Sequence, residues 1–131
     1  MTNAKDDPRA DAILRRKANG LLAPDEAITE LADADCTAAL AMVVAERTRL
    51  APAMVLRALE DESDEAISVM CRAAGLRING YSALLRMRRR RNRGLDSAPT
   101  HALTFFSDLS PVAAKQILAR MVAQQGKRPA R

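Results

Sequence analysis

The spacing of apolar residues constrains the fold of this chain more than any other feature. Apolar side chains recur at positions i, i+3, i+4 and i+7, as in Ile67, Met70, Cys71 and Ala74. This spacing places one apolar stripe along one face of a helix. The same pattern begins at Tyr81, Leu84 and Leu85, and the charge of Arg88 interrupts it.

The sequence gives no comparable signal for strands. Apolar and polar residues nowhere alternate over a sustained run, which is the pattern of a half-buried strand. Alanine is the commonest residue, and aromatic residues make up only 2% of the chain. Such a composition favours helix over sheet. We therefore expect an all-α fold, and the length of 131 residues suits a single domain.

Proline and glycine divide the chain into about eight predicted helices. Proline fits the first position of a helix, and glycine fits the position just after its end. We expect one helical domain over residues 7–125, with disordered termini at 1–6 and 126–131. The predicted helices span residues 8–19, 24–32, 36–49, 52–60, 64–74, 79–92, 100–107 and 111–126.

One short pattern, apolar-x-Asp-x-[Ser/Asp]-x-x-Ala, occurs three times, starting at Leu31, Leu59 and Phe106. We interpret it as a turn between two helices. The apolar residue packs on the core, the Asp accepts backbone N–H bonds in the turn, and the next Ser or Asp caps the following helix. The alanine would allow close helix packing. Three such hairpins predict a stack of helix pairs; the alternative is a generic bundle with similar turns.

Two segments resemble a known family. They are RTRLAPAMVLRALEDESDEAISVMCRAAGLRINGYSALLRMR, residues 47–88, and FFSDLSPVAAKQIL, residues 105–118. Over about residues 31–122 the chain resembles the C-terminal part of the domain of unknown function 2336, an alphaproteobacterial family similar to HEAT-like helical repeats. The resemblance implies a bacterial protein with stacked helical hairpins. It implies no established activity, and this chain is shorter than typical members of the family.

Charge is divided unevenly along the chain. The net charge is +5, but residues 1–75 are acidic overall and residues 76–131 are strongly basic. The acidic run EDESDE covers residues 60–65. The arginine run, as we name it, consists of Arg86, Arg88, Arg89, Arg90, Arg91 and Arg93. Because consecutive arginines point all round a helix, we predict that this run contacts an anionic partner.

No catalytic or metal-binding motif is evident in the sequence. The single histidine, His101, and the two cysteines, Cys36 and Cys71, lack the spacing of a metal site or of a nucleophilic pair. The isolated glycines cannot form a phosphate-binding loop. We therefore predict a protein that is not an enzyme, has no cofactor and has no evident small-molecule substrate.

These observations predict a non-catalytic, HEAT-like interaction module. We expect the arginine run to bind an acidic partner protein or a second copy of this chain. The alternative is a nucleic-acid-binding protein that uses the same arginines, although aromatic stacking residues are almost absent. The sequence shows no signal peptide and no transmembrane segment, so we expect a cytoplasmic protein.

Overall fold

A computed structural model describes residues 8–61, 63–91 and 99–127 of the chain. These residues form eight helices and no strand, which confirms the predicted all-α class. Each helix begins and ends within one residue of its predicted limit. The predicted disorder at 1–6 and at 128–131 falls outside the described residues, while α8 continues through residues 126 and 127. The helices are α1 Pro8–Ala18, α2 Pro24–Asp33, α3 Thr37–Thr48, α4 Pro52–Glu60, α5 Glu65–Ala73, α6 Ile78–Arg91, α7 Pro99–Asp108 and α8 Pro111–Lys127.

Local chemistry explains why the helices begin and end where they do. Pro24 and Pro52 stand at the first helical position, where a missing backbone N–H costs no hydrogen bond. The Glu26 carboxylate accepts the Ala23 N–H at 2.9 Å and so caps the N-terminus of α2. Gly75 follows α5 with φ +87°, a left-handed conformation in which glycine has no steric penalty.

The core joins helices that are far apart in sequence. The most extensive packing lies between α2 and α6, followed by α5 with α8 and α3 with α4. In a linear stack of repeats, each repeat contacts only its neighbours in sequence. The α2–α6 contact joins helices that are not neighbours, so a simple stack does not account for it. The Tyr81 and Phe106 rings stack at 4.3 Å between centroids, and the Tyr81 hydroxyl shares a hydrogen bond with buried Ser68.

The three copies of the turn pattern behave differently. Their apolar residues are all buried, as predicted: Leu31, Leu59 and Phe106. In the third copy the Ser110 hydroxyl accepts the Ala113 N–H at 3.0 Å, which confirms the predicted cap. The prediction for the first copy is wrong. Asp35 adopts a left-handed φ of 57°, and Cys36 takes the capping position without a side-chain bond. The Asp35 carboxylate is instead available to an arginine of α6.

Candidate functional site at the end of helix α6

The arginine run occupies the last turns of α6, which ends at Arg91. Arg93 lies outside the described residues. Four of the remaining members, Arg86, Arg89, Arg90 and Arg91, are exposed. Arg88 is buried, with 2% of its surface accessible. The run is therefore divided between the surface and the core.

Arg88 belongs to the core because its guanidinium binds groups at the end of α4 and the start of α5. Its Nε donates to the Leu59 carbonyl at 2.9 Å, and its terminal nitrogens donate to the Asp61 carbonyl and to the Asp64 carboxylate. The prediction that Arg88 contacts an external partner is therefore wrong. A sequence signal was present, since Arg88 lies seven residues after Tyr81 and so continues the buried stripe of α6.

Arg90 is bound to the end of α2. One terminal nitrogen donates to the Ala32 carbonyl at 2.8 Å and to the Asp35 carboxylate at 3.0 Å, and Nε donates to the same carboxylate at 3.1 Å. The guanidinium remains partly exposed. Arg86 makes a looser pair with Asp33, at 3.7 Å, and both side chains are more than half exposed. A pair of this kind contributes little to stability.

In the described residues, Arg88 and Arg90 are two of four arginines that cap the end of another helix. Arg47 Nε donates to the carbonyl of Ala74, the residue after α5, and Arg72 Nε donates to the Leu109 carbonyl just beyond α7 at 2.8 Å. The last carbonyls of a helix lack hydrogen-bond donors within it and carry partial negative charge. A guanidinium supplies both the donors and the positive charge. No pattern in the sequence indicates these roles of Arg47 and Arg72, because their partners lie 27 and 37 residues away.

Two arginines of the run keep their full binding capacity. Arg89 and Arg91 are exposed, and among the described residues no carboxylate lies within 4.0 Å of either guanidinium. Together with the partly engaged Arg86 and Arg90 they form a surface that we name the arginine end. It is smaller than the six-residue surface predicted from the sequence.

The other candidate residues stand apart from this surface. Cys36 and Cys71 are free, buried thiols, and burial raises the pKa of Cys71 far above its ordinary value, so this thiol is a poor nucleophile. His101 is exposed on α7. Within residues 8–61, 63–91 and 99–127, no three of His, Cys, Asp and Glu converge on a possible metal position.

Comparison with known proteins found no matching family model, no similar curated protein and no similar solved structure. Among the described residues, no helix is both long enough and apolar enough to span a bilayer.

Proposed function

We propose that this protein is a non-catalytic, helical-repeat interaction module that docks an acidic partner protein on its arginine end. The observation that carries the proposal is the contrast within one helix terminus. Arg88 and Arg90 fix the end of α6 to two other helices, while the exposed Arg89 and Arg91 have no carboxylate within 4.0 Å in the described part of the chain.

This arrangement favours binding because the backbone that presents the free guanidiniums is already ordered. Ordering a loop or a helix end at an interface subtracts from the affinity that its contacts provide. The α4–α5 junction holds Arg88, and the end of α2 holds Arg90. Arg89 and Arg91 can therefore form paired hydrogen bonds with carboxylates at the cost of ordering only their side chains.

Two features favour a protein partner over nucleic acid. Asp33 and Asp35 lie among the arginines, so the surface has mixed charge and would repel part of a continuous phosphate backbone. Tyr81, the aromatic residue of the same helix, is fully buried against Phe106 and is not available to stack on a base.

The acidic run is less suited to serve as the partner in a second copy of the chain. The Asp64 carboxylate binds Arg88, and the Asp61 carboxylate accepts the Ser63 N–H at 3.2 Å. Both carboxylates are thus already used inside one protomer. An acidic surface on a different protein would not have to break these bonds.

The test compares two variants with the same change of charge. Arg89→Glu/Arg91→Glu reverses the free arginines, and Arg15→Glu/Arg120→Glu reverses two exposed arginines on α1 and α8. Each variant is used to capture proteins from nuclease-treated extract of the native cell. We expect an acidic protein that is retained by the parent and by the control but lost with the first variant.

Three results would contradict the proposal. The first is equal retention by the arginine-end variant and the control. The second is binding in untreated extract that nuclease treatment removes, together with a steep salt dependence of affinity for generic duplex or single-stranded DNA, which would identify nucleic acid as the partner. The third is self-association that is lost in the arginine-end variant, which would identify a second copy of the chain as the partner.

A further inference from the structure

A second concentration of positive charge lies at the opposite end of α6. A groove of about 480 Å³ is lined there by the end of α5, the turn into α6, the start of α8 and one side chain of α3. We name it the basic groove, and its charged lining residues are Arg47, Arg72, Arg77 and Lys115. Arg77 and Arg89 are separated by about 18 Å along the helix axis. The two basic surfaces are therefore distinct.

None of the four cations of the basic groove forms an ion pair within the described parts of the chain. No carboxylate oxygen lies within 4.0 Å of their charged nitrogens, whereas three arginines of α6 each have such a neighbour. One carboxylate, that of Asp25, lies beside the groove and accepts the backbone N–H of Arg77 at 2.9 Å. The ends of α5 and α7 contribute about half a negative charge each, and the starts of α6 and α8 contribute the opposite. The four cations therefore outweigh the neighbouring carboxylate, and the net charge of the groove is positive.

Arg47 and Arg72 are held in place by hydrogen bonds and still have unused hydrogen-bond donors. Arg47 and Arg72 each use only Nε on a helix-terminal carbonyl, and a guanidinium has further donors on its two terminal nitrogens. The Arg72 guanidinium carbon also lies over the Phe106 ring, 5.2 Å from its centroid, which adds a cation–π attraction. These terminal nitrogens are the donors that match two oxygens of a phosphate.

Gly75 lies in the wall of the groove beside the Arg47 guanidinium. Its φ of +87° disfavours any residue with a side chain. A Cβ built on it would lie 3.5 Å from the Nη2 atom of Arg47, which is an ordinary van der Waals contact. The backbone conformation of the turn, and not a lack of space, therefore selects glycine here.

From these observations we infer that the basic groove binds a small, multiply charged phosphate, such as a diphosphate or triphosphate group. Four cations in one concavity, none of them in an ion pair within the described residues, suit a ligand with several negative charges. The volume lies within the range of small-molecule sites, about 300–1,000 Å³. The inference is independent of the proposed function, because the arginine end contributes no residue to this groove.

The experiment measures binding of tripolyphosphate to the full chain by isothermal titration calorimetry at low salt. The test variant is Arg77→Gln/Lys115→Gln. No hydrogen bond or ion pair within the described chain involves either side chain, so the fold is expected to persist, which circular dichroism checks. The matched control is Arg15→Gln/Arg120→Gln, which removes the same charge from exposed positions on α1 and α8 outside both basic surfaces.

We expect saturable binding by the parent at one site, affinity at least about tenfold lower for the groove variant, and affinity within about twofold of the parent for the control. Orthophosphate is expected to bind more weakly than tripolyphosphate. A parallel titration with ATP identifies the source of the phosphate chain. If ATP binds more tightly than tripolyphosphate, the groove recognises a nucleotide. If the two bind equally, it recognises the phosphate chain alone. Either result supports the site.

Three results would overturn the inference. The first is the absence of saturable binding by the parent. The second is an equal loss of affinity in both variants, because this would reflect overall charge and not the groove. The third is citrate binding as tightly as tripolyphosphate, because the groove would then accept any compact polyanion and would have no preference for phosphate.

Discussion

Replacement of Arg88 by methionine tests the division of the arginine run most directly. Methionine keeps much of the length and apolar surface of the side chain and removes the guanidinium. The change leaves the Asp64 carboxylate, with only 9% of its side chain exposed, without its cation, and it removes the donors to the Leu59 and Asp61 carbonyls.

The expected loss is large because a half-broken buried pair leaves an uncompensated charge. Such changes cost about 3–5 kcal/mol, whereas the whole domain is stabilised by about 5–15 kcal/mol. With a urea m-value of about 2 kcal/mol per molar, the unfolding midpoint should fall by about 2 M. Arg89→Met, one residue along the helix, should change stability by less than about 0.5 kcal/mol, since Arg89 is exposed.

Urea titration followed by far-ultraviolet circular dichroism measures the free energy of unfolding of both variants. The double variant Arg88→Met/Asp64→Asn separates charge from hydrogen bonding. It removes the stranded carboxylate and should recover more than about 1 kcal/mol relative to Arg88→Met. Full recovery is not expected, because the two carbonyls still lack a donor.

A structural role for the buried Arg88 guanidinium would be refuted if Arg88→Met and Arg89→Met had the same urea midpoint. Equal midpoints would mean that the Arg88 guanidinium contributes no more than an exposed one. All members of the arginine run would then be equivalent, as the sequence alone had suggested. Absence of recovery in the double variant would refute the narrower claim that the stranded carboxylate causes the loss.

Other contacts give further predictions. Asp25→Ala should lower the free energy of unfolding by about 1 kcal/mol, because the Asp25 carboxylate accepts the Arg77 N–H at the start of α6. Gly80→Ala should lower the free energy of unfolding of the parent by about 1 kcal/mol, because the new Cβ would overlap the Asp25 carboxylate. In the Asp25→Ala variant the same change should raise that free energy, because alanine favours helix more than glycine does. Destabilisation in both backgrounds would contradict this explanation. Burial raises the pKa of Cys71, so above pH 9.0, the ordinary pKa of the thiol, this residue loses its proton in the unfolded chain but keeps it in the folded one. The free energy of unfolding should therefore fall as the pH rises. The fall should be steeper by about 1.4 kcal/mol per pH unit in the parent than in Cys71→Ala. Arg90→Ala should lower the unfolding midpoint modestly, because the Ala32 carbonyl at the end of α2 loses its donor.

The sequence predicted helices better than it predicted the roles of charged side chains. Helix limits depend on residues within about one turn of each other, so proline, glycine and apolar spacing were sufficient to place them. The turn pattern was informative where capping was local, as at Ser110. It failed at Asp35, whose carboxylate binds Arg90 from a helix 55 residues further along the chain.

The amino-acid sequence by itself determined the all-α class, the number of helices in the described residues and the concentration of positive charge in the second half of the chain. The tertiary structure alone decided which arginines are free. The partners of Arg88 and Arg90 lie 24 to 58 residues away in sequence. A guanidinium binds helix-terminal carbonyls and carboxylates when packing brings them within hydrogen-bond distance. Residues near an arginine in the sequence do not indicate which distant groups will be that close.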